Sequence, residues 1–428
     1  MGLAVDEDLS PALMRKAVPL AAKLPSFASA ADSVNETLEV QLTTKRVERL
    51  AERIGAERVA ERDLAVAQWR QLPLVEKLKA PRGVKAPSAV CASCDGGRIQ
   101  RCDLPDDAKS HWSETKVGIL LELKKESHTE DPCPQIPDKF LDLAVMETVT
   151  REIKGGVPKG TRFERQDATK SDAPPSATNS DKAQEEVVVA ARQPIVAKPP
   201  EVLSRDVVAT LATSDLFGQM LAARAWALGF AGAVRKAFIG DGSGTNWGIW
   251  EREFKHQKYI PILDFIHALT YVFSAAMAGR SSRAEGQAAY VRWITWVWQG
   301  QVVRVIAELA ARAVELGSPP PDASDSDPRQ IVADALTYLT NQQSRMNYPN
   351  DRQAGLPITS SHIESTVKQI NQRVKGSEKF WAQFGGEALS QLRADQLSDT
   401  DPLQPFWVHR EQAATGTRTH ARKINTAS

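Results

Sequence analysis

Cysteine is scarce in this chain. Four of them, Cys91, Cys94, Cys102 and Cys133, in 428 residues are too few for a disulfide framework. Charge of one sign is lacking as well, since 54 Lys plus Arg face 53 Asp plus Glu for a net +1. The whole chain therefore offers no basic field to a polyanion, and any nucleic-acid footprint must be local. Long apolar runs are missing too. The most apolar stretch, "WITWVWQGQVVRVIAEL", is interrupted by Gln299, Gly300, Gln301, Arg304 and Glu308, short of the roughly 18 unbroken apolar residues a membrane helix needs. "MGLAVDEDLSPAL" is acidic where a signal peptide is basic, and no internal repeat is apparent. These absences lead us to expect an intracellular, cytoplasmic protein without a membrane segment. Its length fits two or three domains of about 100–200 residues each.

What is present changes character along the chain. Residues 1–85 read as a helical domain, in which "SFASAADSVNETL", the short "EVQ" and "LTTKRVERLAERIG" form helix, turn, helix. Thr43 or Thr44 is the expected N-cap, with Val47, Leu50, Ala51 and Ile54 on one apolar face. Lys45, Arg46, Arg49 and Arg53 cover much of the rest, either as a helix-turn-helix that meets DNA or as the solvated face of an antiparallel helix pair. From 86 to 124 the texture is strand-like, in "PSAVCASCDGG" and "SETKVGILLEL". Between 125 and 200 the chain is poor in core residues and is expected to be a flexible excursion. From 201 to 270 come the helix of "DLFGQMLAARAWALGFAG", a short strand "VRKAFIGDGSG" ending at Asp241, and "KYIPILDFIHALTYVF", a strand running into a helix. Residues 271–344 are helical, with Trp293, Trp296 and Trp298 expected in a core. The final long helix, in 345–400, begins in "ITSSHIESTVKQINQRV", and 401–428 read as a polar basic tail with Arg410, Arg418, Arg422 and Lys423. Strands alternating with helices predict an α/β sheet covered by helices.

The stretch "CASCDGG" offers two chemistries. Successive strand side chains point to opposite faces, so in a strand Cys91 and Cys94 diverge and cannot grip one zinc, whereas Cys91, Ser93 and Asp95 share a face. Cys102 and Cys133 supply no second pair of metal-ligand spacing. Asp95 is the stronger candidate. Asp95 and Asp241 share a grammar of small or apolar run, aspartate, glycine ("SCDGG", "FIGDGSG"), in which glycine lets the backbone leave the sheet sharply. Two such ends side by side would present two carboxylates at one rim, where oxygen ligands suit a hard divalent cation. An Asp-Gly turn is the plain alternative for either alone. Glu364 has one too, because Ser361 and Glu364 stand at capping-box spacing.

Several segments, in order, resemble a known family: "DLSPALMRKAVPLAAKLPSF", "TTKRVERLAERIG", "CDGGRIQ", "WSETKVGILLEL", "DVVATLATSDLFG", "KAFIGDGSGTNWGIW", "ILDFIHAL" and "YLTNQQSRMNYPNDRQAGLPITSSHIESTVKQINQRVKGSEKFW". Their combination is similar to the Kra-type transposases of bacterial insertion sequences, distant relatives of Mutator-like DDE transposases. The resemblance spans about 9–398 apart from the excursion near 125–200. It implies an RNase H-like fold, a mixed five-stranded sheet flanked by helices, with 86–124, 201–270 and 345–400 forming the catalytic domain and 271–344 an all-helical insertion. It implies Asp95, Asp241 and Glu364 as catalytic, metal-binding acids for two Mg²⁺ ions, with Mn²⁺ as a substitute, and Asp264 and His267 as an accessory D-x-x-H element. Lys368, Arg373, Lys375 and Lys379, beside Glu364, are the expected holders of the DNA backbone, together with Lys45, Arg46 and Arg49 in the N-terminal helices. The implied partners are double-stranded DNA, both the terminal inverted repeats and the target, and further copies of the chain in a dimer or larger assembly at the bacterial nucleoid. Two departures stand out: Ser360 and Ser361 precede the glutamate where a small residue or glycine is usual beside a serine, and the family commonly carries more chain ahead of the first helices. An inactive DNA-binding derivative and a metal-dependent nuclease without strand transfer are the alternatives.

Overall fold

The computed structural model describes residues 9–105, 110–124, 127–154, 199–376 and 378–413. In chain order the elements are α1 (Pro11–Lys23), α2 (Phe27–Leu38), α3 (Thr44–Gln71), α4 (Leu74–Lys77), β1 (Ala89–Arg101), β2 (Trp112–Leu123), α5 (Leu143–Lys154) and β3 (Val202–Thr210). Next come α6 (Ser214–Ala227), β4 (Arg235–Gly240), α7 (Gly244–Ile249), β5 (Ile260–Leu263), α8 (Phe265–Met277), α9 (Arg283–Trp298) and α10 (Val302–Leu316). The chain closes with α11 (Pro328–Gln342), α12 (Tyr348–Gln353), α13 (Ser361–Val374), β6 (Phe380–Trp381), α14 (Gln383–Leu397) and α15 (Leu403–Ala413). They divide into two units, one of Met1–Ser127, Pro199–Ile266 and Ala354–Ser428, the other of His128–Lys198 and His267–Gln353. Among the described residues no helix is long and apolar enough to cross a membrane.

The first unit is built on a mixed sheet of order β3-β2-β1-β4-β5. β3, β2 and β1 are antiparallel neighbours, whereas β4 and β5 continue the sheet in parallel with β1. β1 is buried on both faces from Ala89 to Cys94, and β4 from Ala237 to Gly240, as expected of central strands covered on both sides. Two features differ from expectation. "VLSRDVVAT" supplies an edge strand, β3, that the sequence reading passed over, and the two-residue β6 pairs with the far end of β1, Gln100 opposite Phe380, which makes six strands among the described residues where the resemblance implied five.

Helices cover the two sheet faces through glycines at the points of closest approach. An added Cβ at Gly118 would lie 2.7 Å from Leu221 on α6. At Gly97, whose side faces the other way, it would lie 2.6 Å from Thr115 Oγ1 and 2.8 Å from Asn371 Oδ1 on α13. α13 therefore lies over the β1–β2 hairpin because position 97 has no side chain to hold it off.

The N-terminal helices pack as predicted on Val47, Leu50, Ala51 and Ile54, with Met14, Val18, Ala30 and Val34, and Thr43 Oγ1 caps α3 by accepting from the Arg46 N–H. Their core also contains Leu392 of α14 and Leu403, Phe406 and Trp407 of α15. These helices were not anticipated, and the residues from 403 to 413 are a packed helix rather than a basic tail. Arg410 pairs with Glu57 at 2.6 Å; Arg418, Arg422 and Lys423 lie outside the described residues. α3 and α14 cross at Gly55, where a Cβ would sit 2.6 Å from the Ala388 carbonyl oxygen. The buried pair Arg58–Asp395, at 2.9 and 3.2 Å, joins the same two helices.

The second unit corrects the expectation of a flexible excursion over its first part. Phe140, Leu143 and Met146 are buried, and the Tyr290 hydroxyl donates to the Phe140 carbonyl at 2.6 Å. The residues 155–198 lie outside those described. Trp293 and Trp298 are buried as expected, but Trp296 is only half-buried and lies against Arg304, 4.1 Å from its guanidinium.

Candidate carboxylate site

The end of the parallel half of the sheet brings acids together. β1 pairs with β4 as far as Ser93 opposite Ile239, while its antiparallel ladder with β2 runs on to Gln100 opposite Trp112. The strand thus does not end at Asp95-Gly96-Gly97, as the glycines suggested, because β2 continues to supply partners. What ends there is the parallel neighbour. Asp241 follows β4 directly, and Asn246 Nδ2 donates both to Asp241 Oδ1 and to the carbonyl of Cys94, the residue before Asp95. Both aspartates are half-buried. Asp95 Oδ1 accepts from the Gly96 N–H at 2.6 Å, and Asp241 Oδ1 accepts from the Ser243 N–H and from Asn246 Nδ2, each at 2.9 Å.

β5 delivers a further acid. Asp264 is wholly buried, and its N–H donates to the Gly240 carbonyl at 2.8 Å, one residue before Asp241. Its Oδ1 accepts from the N–H groups of Ser360 at 3.1 Å and Ile266 at 3.2 Å, and its Oδ2 from the Ser360 hydroxyl at 2.8 Å. That hydroxyl also lies 3.2 Å from Glu364 Oε1, and the carboxylates of Asp264 and Glu364 offer oxygens within 4.8 Å of each other. A hydroxyl has one proton, so it serves one of the two acids and turns a lone pair to the other. Asp95 and Asp241 do not belong to that closest group. Ser360, not Ser361, is the N-cap of α13 and makes no capping hydrogen bond from its side chain. The capping-box explanation for Glu364 therefore fails, because the serine faces the acids instead of the helix N–H groups. His267 stands three residues after Asp264, half-buried in the first turn of α8.

The cysteines separate as a regular strand requires, and all four are free. Burial pushes the Cys91 thiol up to about 12. The Cys94 thiol is raised by burial first and then by Asp241 and Asp95, so both carboxylates lie near it.

The expected DNA-contacting cations divide. Lys45, Arg49, Lys368 and Lys375 are exposed, and Arg46 and Lys379 half-buried; Lys45 pairs with Glu48 at 2.9 Å. Arg373 is a correction. It is 2 % exposed, its guanidinium lies 4.4 Å from the Phe27 ring and 5.6 Å from that of Trp381, and Nε donates to the Ala21 carbonyl at 2.8 Å. It is a core residue of the α2–α13 contact, and burial lowers its pKa to about 10. Lys375 is also displaced from its expected place, since α13 ends at Val374 and Lys375 is extended, with its ammonium 5.6 Å from the Trp112 ring.

Two residues of this rim, Ser360 and Asn246, escaped the sequence reading of the site. A signal existed for Asn246: Ser243 opens α7 directly after Asp241-Gly242, which turns the third residue of the helix back toward the strand end. No family model matches the chain, and no curated protein is significantly similar to it.

Proposed function

We propose that this chain is a transposase of the DDE type that cleaves and joins DNA at the ends of an insertion sequence, on an RNase H-like catalytic domain. The observation that carries the reading is the gathering of acids from β1, β4, β5 and α13 at one sheet rim, with a serine hydroxyl between Asp264 and Glu364 that can satisfy one of them. Carboxylate oxygens such as those of Asp95, Asp241 and Glu364 suit a hard divalent cation, Mg²⁺ or Mn²⁺. Asp95, Asp241 and Glu364 would hold two such ions, whose chemistry is to activate an attacking hydroxyl and to stabilise the departing oxygen. The chain's own residues do the rest by position. Asp264 ties the N-terminus of α13 to the end of β4 through Ser360 and Gly240, so that Glu364 keeps its distance from Asp241. Exposed Lys368 and Lys375 supply charge for a phosphate backbone, and double-stranded DNA with paired ends calls for at least two copies of the chain. In-line displacement at phosphorus asks mainly for such positioning and charge stabilisation.

The test is cleavage of a duplex carrying the ends of the encoding element, by the full chain with Mg²⁺. Asp95→Asn, Asp241→Asn and Glu364→Gln should each lower the cleavage rate by at least about a hundredfold, with the melting temperature little changed. Undiminished cleavage by Asp95→Asn would overturn the proposal. Pre-cut ends that are never joined to a target plasmid would reduce it to a nuclease.

A further inference from the structure

The second cysteine of "CASC" is not idle. The geometry points to Asn246 as the positioning residue of Asp241, with Cys94 setting the orientation of its amide, an inference that rests on the proposed role of Asp241. Asn246 is 7 % and Cys94 3 % exposed. The Cys94 thiol donates to Asn246 Oδ1 at 3.2 Å. In return, Asn246 Nδ2 donates to the Cys94 carbonyl at 3.1 Å and to Asp241 Oδ1 at 2.9 Å. One amide oxygen and two amide hydrogens are thereby all used.

Only one orientation of the amide is compatible with these neighbours. Rotated by half a turn, its oxygen would face two acceptors, the Cys94 carbonyl and the Asp241 carboxylate, while its NH₂ would face the thiol proton. A buried acceptor turned on acceptors is costly, so the Cys94 carbonyl and the Asp241 carboxylate decide which end of Asn246 meets Asp241, and the S–H adds a donor to the oxygen that faces away from them. The base of the lock is rigid. The Asn246 N–H donates to Ser243 Oγ at 3.3 Å, and the Ser243 N–H in turn pins the same Asp241 oxygen at 2.9 Å. Trp247, the next residue, fills the space over Gly240, where an added Cβ would lie 3.1 Å from its ring. Asp241 Oδ1 is thus fixed by two donors from one turn, which sets the plane of the carboxylate and the direction of its other oxygen. The neutral amide does this beside an acid without adding charge. An aspartate at 246 would turn a second negative charge on Asp241, and an alanine would remove one of the two donors on Asp241 Oδ1 together with the one on the Cys94 carbonyl.

The experiment compares the wild type with Asn246→Ala, Asn246→Asp, Cys94→Ala and Cys94→Ser, reading Mn²⁺ binding by calorimetry, the metal dependence of cleavage, melting temperature and, without metal, the side-chain amide signals of Asn246 in ¹⁵N-correlated spectra. Residues that orient a metal ligand typically contribute about 10- to 100-fold in metal affinity. We expect Asn246→Ala to weaken Mn²⁺ binding by about tenfold or more and Asn246→Asp to weaken it further, Cys94→Ala to weaken it severalfold, and Cys94→Ser, which restores a donor, to recover most of that loss at unchanged melting temperature. The metal-free amide protons should exchange slowly in wild type and Cys94→Ser and quickly in Cys94→Ala. Wild-type affinity in Asn246→Ala, or no rescue by Cys94→Ser, overturns the inference and leaves the function standing. Failure of the wild type to bind Mn²⁺ or cleave DNA sinks the functional reading instead, and fast amide exchange in the wild type then sinks the lock as well.

Discussion

Replacing Asp351 by asparagine should stabilise the second unit at alkaline pH and leave it nearly unchanged in acid. Asp351 lies in α12 and is 5 % exposed. Its neighbour in sequence, Arg352, gives it little relief, because that guanidinium is spent elsewhere: Nε donates to Asp131 at 2.9 Å, Nη2 to the Trp298 carbonyl at 3.1 Å, and the group lies 4.1 Å from the Trp298 ring. Burial accordingly pushes the Asp351 carboxyl from 3.8 up to about 7, against a weaker lowering by Arg352. In the unfolded chain the same group ionises near its ordinary value. Between those two pH values the unfolded state holds fewer protons, so stability falls as pH rises and levels off above about 7. At about 1.4 kcal/mol for each step of one in pKa, the whole window is worth about 4 kcal/mol, of which about 3 kcal/mol is lost between pH 5 and pH 8. Asparagine keeps the shape and cannot ionise. Urea unfolding followed by hydrogen exchange in peptides of 267–353, at pH 5 and pH 8, gives the measurement. A wild type and an Asp351→Asn variant whose stabilities differ by the same amount at both pH values would refute the reasoning.

Two further pairs of substitutions separate close packing and core charge from surface. Gly55→Ala drives a methyl against the Ala388 backbone and should cost about 1–3 kcal/mol by forcing α3 and α14 apart, whereas Gly218→Ala, whose nearest neighbours stand at 3.4 Å, should gain up to about 1 kcal/mol from helix propensity; differential scanning calorimetry on the pair decides it. Arg373→Met should lower stability by about 2–3 kcal/mol yet leave the salt dependence of DNA affinity unchanged, while Lys368→Ala leaves stability intact and reduces the slope of log affinity against log salt by about one; a smaller slope for Arg373→Met, measured by fluorescence anisotropy, would show that it faces DNA after all.

Local chemistry carried much of the architecture. Thr43 as a cap, the four-residue apolar stripe of α3, the strand character of "AVCASCD" and the divergence of its cysteines are all consequences of neighbours within a few residues, and the described residues agree with them. So does a mixed α/β sheet flanked by helices. The misses share a cause. β3 and α14 contain polar residues, Asp206, Arg393 and Asp395, that are buried because distant partners satisfy them: Arg224 pairs with Asp206 at 2.5 Å, Arg58 with Asp395 at 2.9 Å, and Arg393 reaches the Gln369 carbonyl at 3.3 Å. Read along the chain these charges look solvated. Arg373 misled for the same reason, since a cation between two aromatic rings is indistinguishable in sequence from one on a surface.

The sequence by itself determined most of the strand and helix segments, β3, α14 and α15 excepted, and which acids sit beside chain-turning glycines, because period, capping and glycine freedom act over a few bonds. Where those acids stand was decided only when β4 and β5 aligned in parallel beside β1 and α13 settled over Gly97, since pairing register and helix approach depend on surfaces more than a hundred residues apart. The same assembly gave Ser360 its two carboxylates and Asn246 its thiol, partners that no local pattern names.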